Sequence, residues 1–454
     1  MNTTRILAGA ALIVATAAHA QQTTTGNTGT APQRITFAQA IDIALKQNLT
    51  VQQAENNLEI ANATANQARQ NLLPDFSFRT SGSDQIGQTF STTTGRFETK
   101  QTQTVQPSVG SNFLIYDASR TSSNAAAARQ TAVAQSYDLS RTRQTAVFTV
   151  ASDFVALENA KSQLDVQKEN LTAQQAQLNQ IQQFANAGVR PMSDLYQQQA
   201  NVAAGQLSVT QAERGVEVAK MNLMQALQLD ASKDYDFISP PIPDVNTSRT
   251  FNLDSLVRSA YQHRPDIVAA QRRIDVSLQD VRAAKAGRMP SVTGNLGYGT
   301  AWTSALDSGV FNQFNQKKGG SVSLGFTLPI FDRGSVRLQQ QRAAIEGDNA
   351  RLALANQQQT VAIEVRRAWY DVRSAQSQLT SANAQQVAAQ QALEAVQQRY
   401  NVGAATLLEI TQARTQLVNA QSALQSARYN LVLTQAVLSY YTGELDPANV
   451  RIGG

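Results

Sequence analysis

The side chains best able to do chemistry in this chain gather around two glycines, Gly188 and Gly403. Arg190 and Asp194 follow the first; Tyr400 and Glu409 flank the second. A guanidinium, two carboxylates and a phenol can hold ions or hydrogen-bond one another, but without a histidine or thiol they form no nucleophile–base pair. The same residues also suit helix ends. Thr406-x-x-Glu409 reads as a capping box, Pro191 suits a first helical turn, and Asp194 falls near a helix N-terminus whose dipole favours a carboxylate. Elsewhere chemistry is thin. The chain has no cysteine and two histidines, His19 and His263, and shows no nucleotide loop and no metal-ligand spacing. An enzyme is not expected, nor any cofactor or metal.

The elements that carry these residues are written twice. The segment from Ile35 to Asp230 recurs about 215 positions on, as Phe251 to Asp446. Pro74 matches Pro290, Tyr116-Asp117 matches Phe331-Asp332, and Leu229-Asp230 matches Leu445-Asp446. Asp117 and Gly188 lie 71 positions apart, as do Asp332 and Gly403, so the long middle part admits no gap. Each copy is far longer than a solenoid repeat of roughly 20–50 residues. It is one structural unit, duplicated.

Each copy opens with a short amphipathic helix, through Phe37, Ala40, Ile41, Ala44 and Leu45 or through Leu253, Leu256, Val257, Ala260 and Tyr261. A second helix, about 51–72 or 266–288, stops at Pro74 or Pro290. The period then changes to that of a strand. Val322, Leu324, Phe326, Leu328 and Ile330 alternate with Ser321, Ser323, Gly325, Thr327 and Pro329. Val292, Leu296, Tyr298 and Trp302 keep the same phase; so do Val105, Val109, Phe113 and Ile115, while Phe76 and Phe78 begin a weaker strand. Strands are expected at about 75–85 and 104–116, then 291–302 and 320–331, joined by polar loops at roughly 86–103 and 303–319. Strands of about 10–13 residues, with one apolar and one small polar face, fit tilted outer-membrane strands. Tyr298, Trp302 and Phe331 suit the membrane interfaces.

Asp117 and Asp332 are placed to cap long helices, 118–186 and 333–401. The first runs 69 residues without proline or glycine, roughly 100 Å at a rise of about 1.5 Å per residue. Return helices follow at 193–228 and 406–441, roughly 54 Å each; the earlier short helix adds roughly 33 Å. The two shorter helices end to end nearly match the long one. Each copy should therefore form a long antiparallel helical pair, continuous on one side and spliced on the other. Its apolar stripe, marked by Val361, Val365, Trp369, Val372 and Leu379, is thin for a bundle core. A curved wall of helices packed through small residues fits it; a long coiled coil fits the same periodicity.

Residues 1–20 read as a secretory signal peptide: Arg5, the apolar run Ile6 to Thr16, and the cleavage site Ala18-His19-Ala20. Cleavage would lower the net charge from +5 to +4 and leave Gln21, not a lipid-bearing cysteine, at the N-terminus. A polar segment (21–34), an inter-repeat linker (231–250) and a short tail (447–454) complete the plan around the repeats, 35–230 and 251–446. So small and dispersed a charge argues against a nucleic-acid partner.

Four membrane strands cannot close a barrel, because barrels tolerate no free edge and the smallest have about 8 strands. Two chains would supply eight and three would supply twelve. The assembly expected is a helical tube continuing a strand barrel, with a wet bore.

Two marks at matching positions carry a resemblance: Phe184-Ala-Asn-Ala-Gly188 followed by Ser193-Asp194-Leu195, and Tyr400-Asn401-Val402-Gly403 followed by Glu409-Ile410. With the duplicated helix–β-hairpin–helix unit, the chain from about Ile35 to Asp446 resembles the TolC-like outer membrane efflux channels. The resemblance implies a mainly α fold with membrane β: a homotrimer whose 12-stranded barrel in outer membrane lipid continues as a periplasmic α-helical barrel. It implies a passive exit duct of a tripartite efflux pump or type I secretion system, working with a periplasmic adaptor and an inner-membrane transporter of RND or ABC type. It sets this chain among the non-lipidated members. In that family a tyrosine, an aspartate and an arginine hold the closed tip, and two acidic rings narrow it. By position these fall on Tyr400, Asp194 and, for the first ring, Glu409. The second ring falls on Gln412 and the arginine on Ala405, two departures that imply a weaker cation-selective gate; Arg190 can supply the missing cation. The tip turns Gly188, Val189, Leu195, Val402, Gly403 and Ile410 would meet the adaptor. The rival reading is a secreted, elongated coiled-coil or adhesin-like protein, which leaves the two phased hairpins unexplained.

Overall fold

The computed structural model describes residues 33–91, 95–238 and 251–444. The expected signal peptide, most of the polar segment and the linker, and the tail lie outside them. In chain order the elements are β1 (Gln33–Thr36), α1 (Phe37–Gln47), α2 (Leu49–Gln70), β2 (Ser77–Ser91), β3 (Arg96–Tyr116), α3 (Arg120–Asn186), α4 (Met192–Ala226) and β4 (Tyr235–Ile238). The second copy follows with α5 (Leu253–His263), α6 (Pro265–Ala286), β5 (Ser291–Gly299), β6 (Trp302–Thr303), α7 (Val310–Gln316), β7 (Gly319–Thr327), α8 (Ser335–Asn401) and α9 (Leu407–Thr442).

The sheet joins the two copies. Its order is β2-β3-β5-β7, antiparallel throughout, with β6 on the upper part of β3. Cross-strand partners share a face, so the register sorts the side chains. Phe78, Val109, Tyr298, Leu296, Val322, Leu324 and Phe326 stand on one face, and Arg79, Ser108, Asn112, Asn295, Ser321 and Ser323 on the other. The apolar side chains are largely uncovered; Val322 is 77% exposed and Phe78 71%. Each would forgo roughly 1.5–3 kcal/mol of burial in water, so this face suits lipid. Phe113 lies across Gly294 on the neighbouring strand, where any Cβ would overlap the ring.

The hairpins depart from expectation. Residues 86–103, expected as a loop, are largely strand: β2 and β3 stay paired from Ser77↔Gly110 to Ser91↔Arg96. Beyond Gly82 and Val105 the ribbon is mostly polar, and Ser83–Thr104 and Gln101–Asp84 side-chain bonds brace it. Alternation of polar with polar carries no apolar period, which hid the strand. In the second copy, β5 ends at Gly299, short of the expected 302, and β7 ends at Thr327, because Pro329 cannot continue a ladder. The loop there holds α7, whose Gln313 is 1% exposed and accepts from Thr303 N at 2.9 Å.

Strand passes to long helix through the same device in each copy. Ala118-Ser119 and Arg333-Gly334 take positive φ, and the carboxylates of Asp117 and Asp332 accept from Thr121 N and Val336 N, each at 2.7 Å. Helices α3 and α8 each run 67 residues, about 100 Å. The buried positions of α9, among them Ile410, Ala413, Leu417, Ala420, Leu424, Ala427 and Leu431, step by threes and fours. Leu424 and Ala427 meet Ala382 of α8, and Leu417 and Ala420 meet Ala389. This is the narrow seam of an antiparallel helix pair.

The wall is tied at mid-height. Phe154 of α3 meets Phe37 of α1 and Phe237 of β4 edge to face, where β4 pairs in parallel with β1. In the second copy Arg264, 2% exposed, bonds Asp266 and Glu364 at 2.7 Å each. Burial works to raise Asp266, but Arg264's bonds and charge and Arg141 nearby leave it lowered.

Candidate functional site

The two free ends of the helical pairs are built on one backbone motif. After α3, Gly188 takes φ +70°, Val189 N returns to Phe184 O at 2.9 Å and Gly188 N to Ala185 O at 3.0 Å. After α8, Gly403 takes φ +78°, Ala404 N returns to Arg399 O at 2.8 Å and Gly403 N to Tyr400 O at 3.0 Å. Both are Schellman turns, which need a left-handed residue past the helix end. Val189 and Val402 project from them, 68% and 80% exposed.

The side chains around the turns differ. Tyr400 is 1% exposed and packs with Ile181, Leu195, Ala405, Leu407 and Ile410. The core therefore draws on both copies. Arg190 reaches it from the other turn: its guanidinium stands 4.3 Å from the Tyr400 ring centroid, and Nη2 donates to Tyr400 O at 3.2 Å. Burial raises the Tyr400 hydroxyl above its ordinary value; Arg190 works to lower it and Asp194 to raise it. Tyr400, Arg190 and Asp194 are thus brought together at one corner.

Glu409 stands apart. Its carboxylate accepts from Thr406 N at 3.2 Å and Thr406 Oγ1 at 3.1 Å, while Glu409 N donates to Thr406 Oγ1 at 3.3 Å. Arg399 adds an ion pair at 3.3 Å and donates to Ala404 O at 3.0 Å. Sequence reasoning missed Arg399, since a partner across a helix turn has no fixed spacing. Gln412 is exposed on α9. At the first tip Pro191 occupies the cap position rather than the first helical turn, and it makes no side-chain cap bond. Asp194 sits in the first turn of α4 and acts there on the helix dipole.

Among the described residues no group of three or more His, Cys, Asp or Glu side chains is placed to hold a metal ion, and no helix is long and apolar enough to cross a membrane.

A lipid-suited sheet continued by paired helices of about 100 Å, with a mixed charged and aromatic core at their far end, defines a class of membrane-anchored helical channel proteins. The family model for outer membrane efflux proteins matches residues 40–228 and 256–444, and the chain belongs to that family. The two matched blocks are the two copies. The chain is 23% identical to the outer membrane protein TolC of Escherichia coli K12 over 310 residues, 67% of this chain and 62% of that protein. It is 23% identical to the outer membrane efflux protein BepC of Brucella suis over 340 residues, 74% of this chain and 71% of that protein. The match thus spans less than two thirds of the TolC relative's own length. Among solved structures, the Campylobacter jejuni CmeC outer membrane channel superposes with a TM-score of 0.75 at 19% identity, over 90% of this chain and 85% of that one. The protein is an outer membrane protein with the channel fold.

Proposed function

We propose that this chain is one third of a passive exit duct, a homotrimer set in outer membrane lipid and extending into the periplasm. One observation carries the reading: an open sheet of four main strands with a lipid-suited face and, among the described residues, a free outer edge on each of β2 and β7. Three copies supply twelve strands and remove every edge. The helical pairs then continue the barrel as a tube, and the tips around Gly188 and Gly403 form its gated end. The relatives' roles in efflux support a place in a tripartite efflux or type I secretion system. A periplasmic adaptor would meet the exposed turns at Val189 and Val402, not Leu195 and Ile410, which the sequence also offered but which are buried in the tip core; an inner-membrane transporter of RND or ABC type would supply energy and choose the cargo. At the gate Arg190 takes the place of the cation missing at Ala405, holding Tyr400 from the opposite turn beside Asp194.

Unheated outer-membrane fractions should run as trimers that heat converts to monomers, and the purified protein should give discrete ionic conductance in planar bilayers. A monomer that stays soluble without detergent would sink this reading in favour of an elongated secreted coiled coil.

A further inference from the structure

A second polar centre lies on the body side of the tip core. Helices α3, α4 and α9 line a partly open cavity of about 340 Å³ whose lining includes Asn170, Gln174, Gln177, Gln198 and Asn201. Arg414 is its one charged side chain among the described residues. The lining is built. Gln198, 2% exposed, donates to Gln174 O at 3.0 Å and accepts from Asn201 Nδ2 at 3.2 Å. Asn201 also donates to Thr411 Oγ1 at 3.4 Å, tying α4 to α9. Gly205 sits inside α4, where glycine is ordinarily unfavourable. A Cβ there would stand 2.5 Å from Gln174 Oε1, so the glycine keeps room for that amide.

Five of the ten buried side-chain nitrogen and oxygen atoms without a protein partner, among the described residues, belong to this lining. They are Asn170 Oδ1, Gln174 Oε1, Gln177 Nε2, and Nε and Nη1 of Arg414. Arg264 elsewhere has two carboxylates at 2.7 Å; Arg414 has no ion pair among the described residues. Arg414 is half-buried, with Nε and Nη1 sealed from solvent; a guanidinium cannot shed its proton to escape burial, and burying its charge without a counter-charge is disfavoured.

We propose that this cavity binds a small inorganic anion of halide size on Arg414, bridging α3 and α9 above the tip. Arg414 Nε and Nη1 and Gln177 Nε2 supply the donors. The Asn170 and Gln174 oxygens accept from water around the anion, or their amides turn to present N–H instead. The bound anion joins the first helical pair to the return helix of the second, so it stiffens the seam on which the tip core rests.

The test uses the full chain in its detergent-solubilised assembly. Crystals soaked in sodium bromide should show anomalous density in contact with the Arg414 guanidinium, and Arg414→Gln crystals should lack it. The melting temperature of the wild type should rise saturably by a few degrees when gluconate is exchanged for chloride or bromide at constant ionic strength, and Arg414→Gln should not respond. If that variant does not fold, the bromide soak of the wild type decides. Water alone at the guanidinium, a carboxylate from a neighbouring protomer on it, or bromide density without a saturable melting response would each overturn the proposal.

Discussion

At the first tip the turn around Gly188 passes to Pro191, which makes no cap bond, whereas the same turn around Gly403 passes to Thr406 and a complete capping box. The backbone is common because both long helices end on a left-handed glycine with the same two return bonds. The cargo of side chains is not. The second tip carries the buried aromatic, the cap and the Arg399–Glu409 pair; the first contributes a cation and one wall of the tyrosine's pocket. Neither tip is complete alone. Duplication supplied two equivalent turns, and divergence made each depend on the other.

The sharpest way to break this comparison is Tyr400→Ala. Losing a fully buried aromatic should cost about 3–5 kcal/mol of local packing. Hydrogen exchange should then rise at both tips, and long open events should appear in single-channel records; protection lost at the second tip alone would refute the shared core. Gly188→Ala and Gly403→Ala come next, each costing about 1–2 kcal/mol because both need positive φ. Exchange at the two turns should respond alike, and a clear inequality would end the backbone equivalence. Thr406→Ala should cost about 1 kcal/mol and loosen the start of α9 only, while Pro191→Ala leaves exchange in α4 nearly unchanged. Arg190→Ala should cost about 0.5–1 kcal/mol. Arg190→Lys should recover only part of it, since an ammonium keeps the charge but loses the planar stacking face; full recovery would reduce the contact to charge alone. The smallest effect on stability belongs to Glu409→Gln, because its pair with Arg399 is largely exposed. Its readout is selectivity: a modest fall in the cation-to-anion permeability ratio. Unchanged permeability and divalent-cation block would leave Glu409 a capping residue.

Much of this was legible before any coordinates. Helix ends announced themselves through Pro74, Pro290, Gly188 and Gly403, and the apolar strands through alternation around Val322 and Leu324. The ribbon at 86–103 was not legible, since its ladder is held by backbone bonds and by polar pairs such as Gln101–Asp84, and its few apolar residues, Ile86, Phe90 and Phe97, are too sparse to show a strand period. Helix α7 was hidden because its anchor, Gln313, is a polar residue bonded to loop backbone. At the tip, the residue types and their neighbourhood were visible, but not their partners. Arg190 meeting Tyr400 depends on how two distant hairpins lie side by side, and sequence spacing within one helix says nothing about that.

The strand order β2-β3-β5-β7 has a consequence for the whole assembly. Within a chain the first copy hands on to the second through β3 and β5, and in a closed ring β7 must hand on to β2 of the next chain. Every seam is then heterologous, head to tail, and the copies alternate strictly around the circumference. In the proposed trimer the tube would have true threefold symmetry laid over an approximate sixfold one. A single substitution in the gene would therefore recur at every other tip and never at adjacent ones, so no mutation could alter the whole rim of the opening at once.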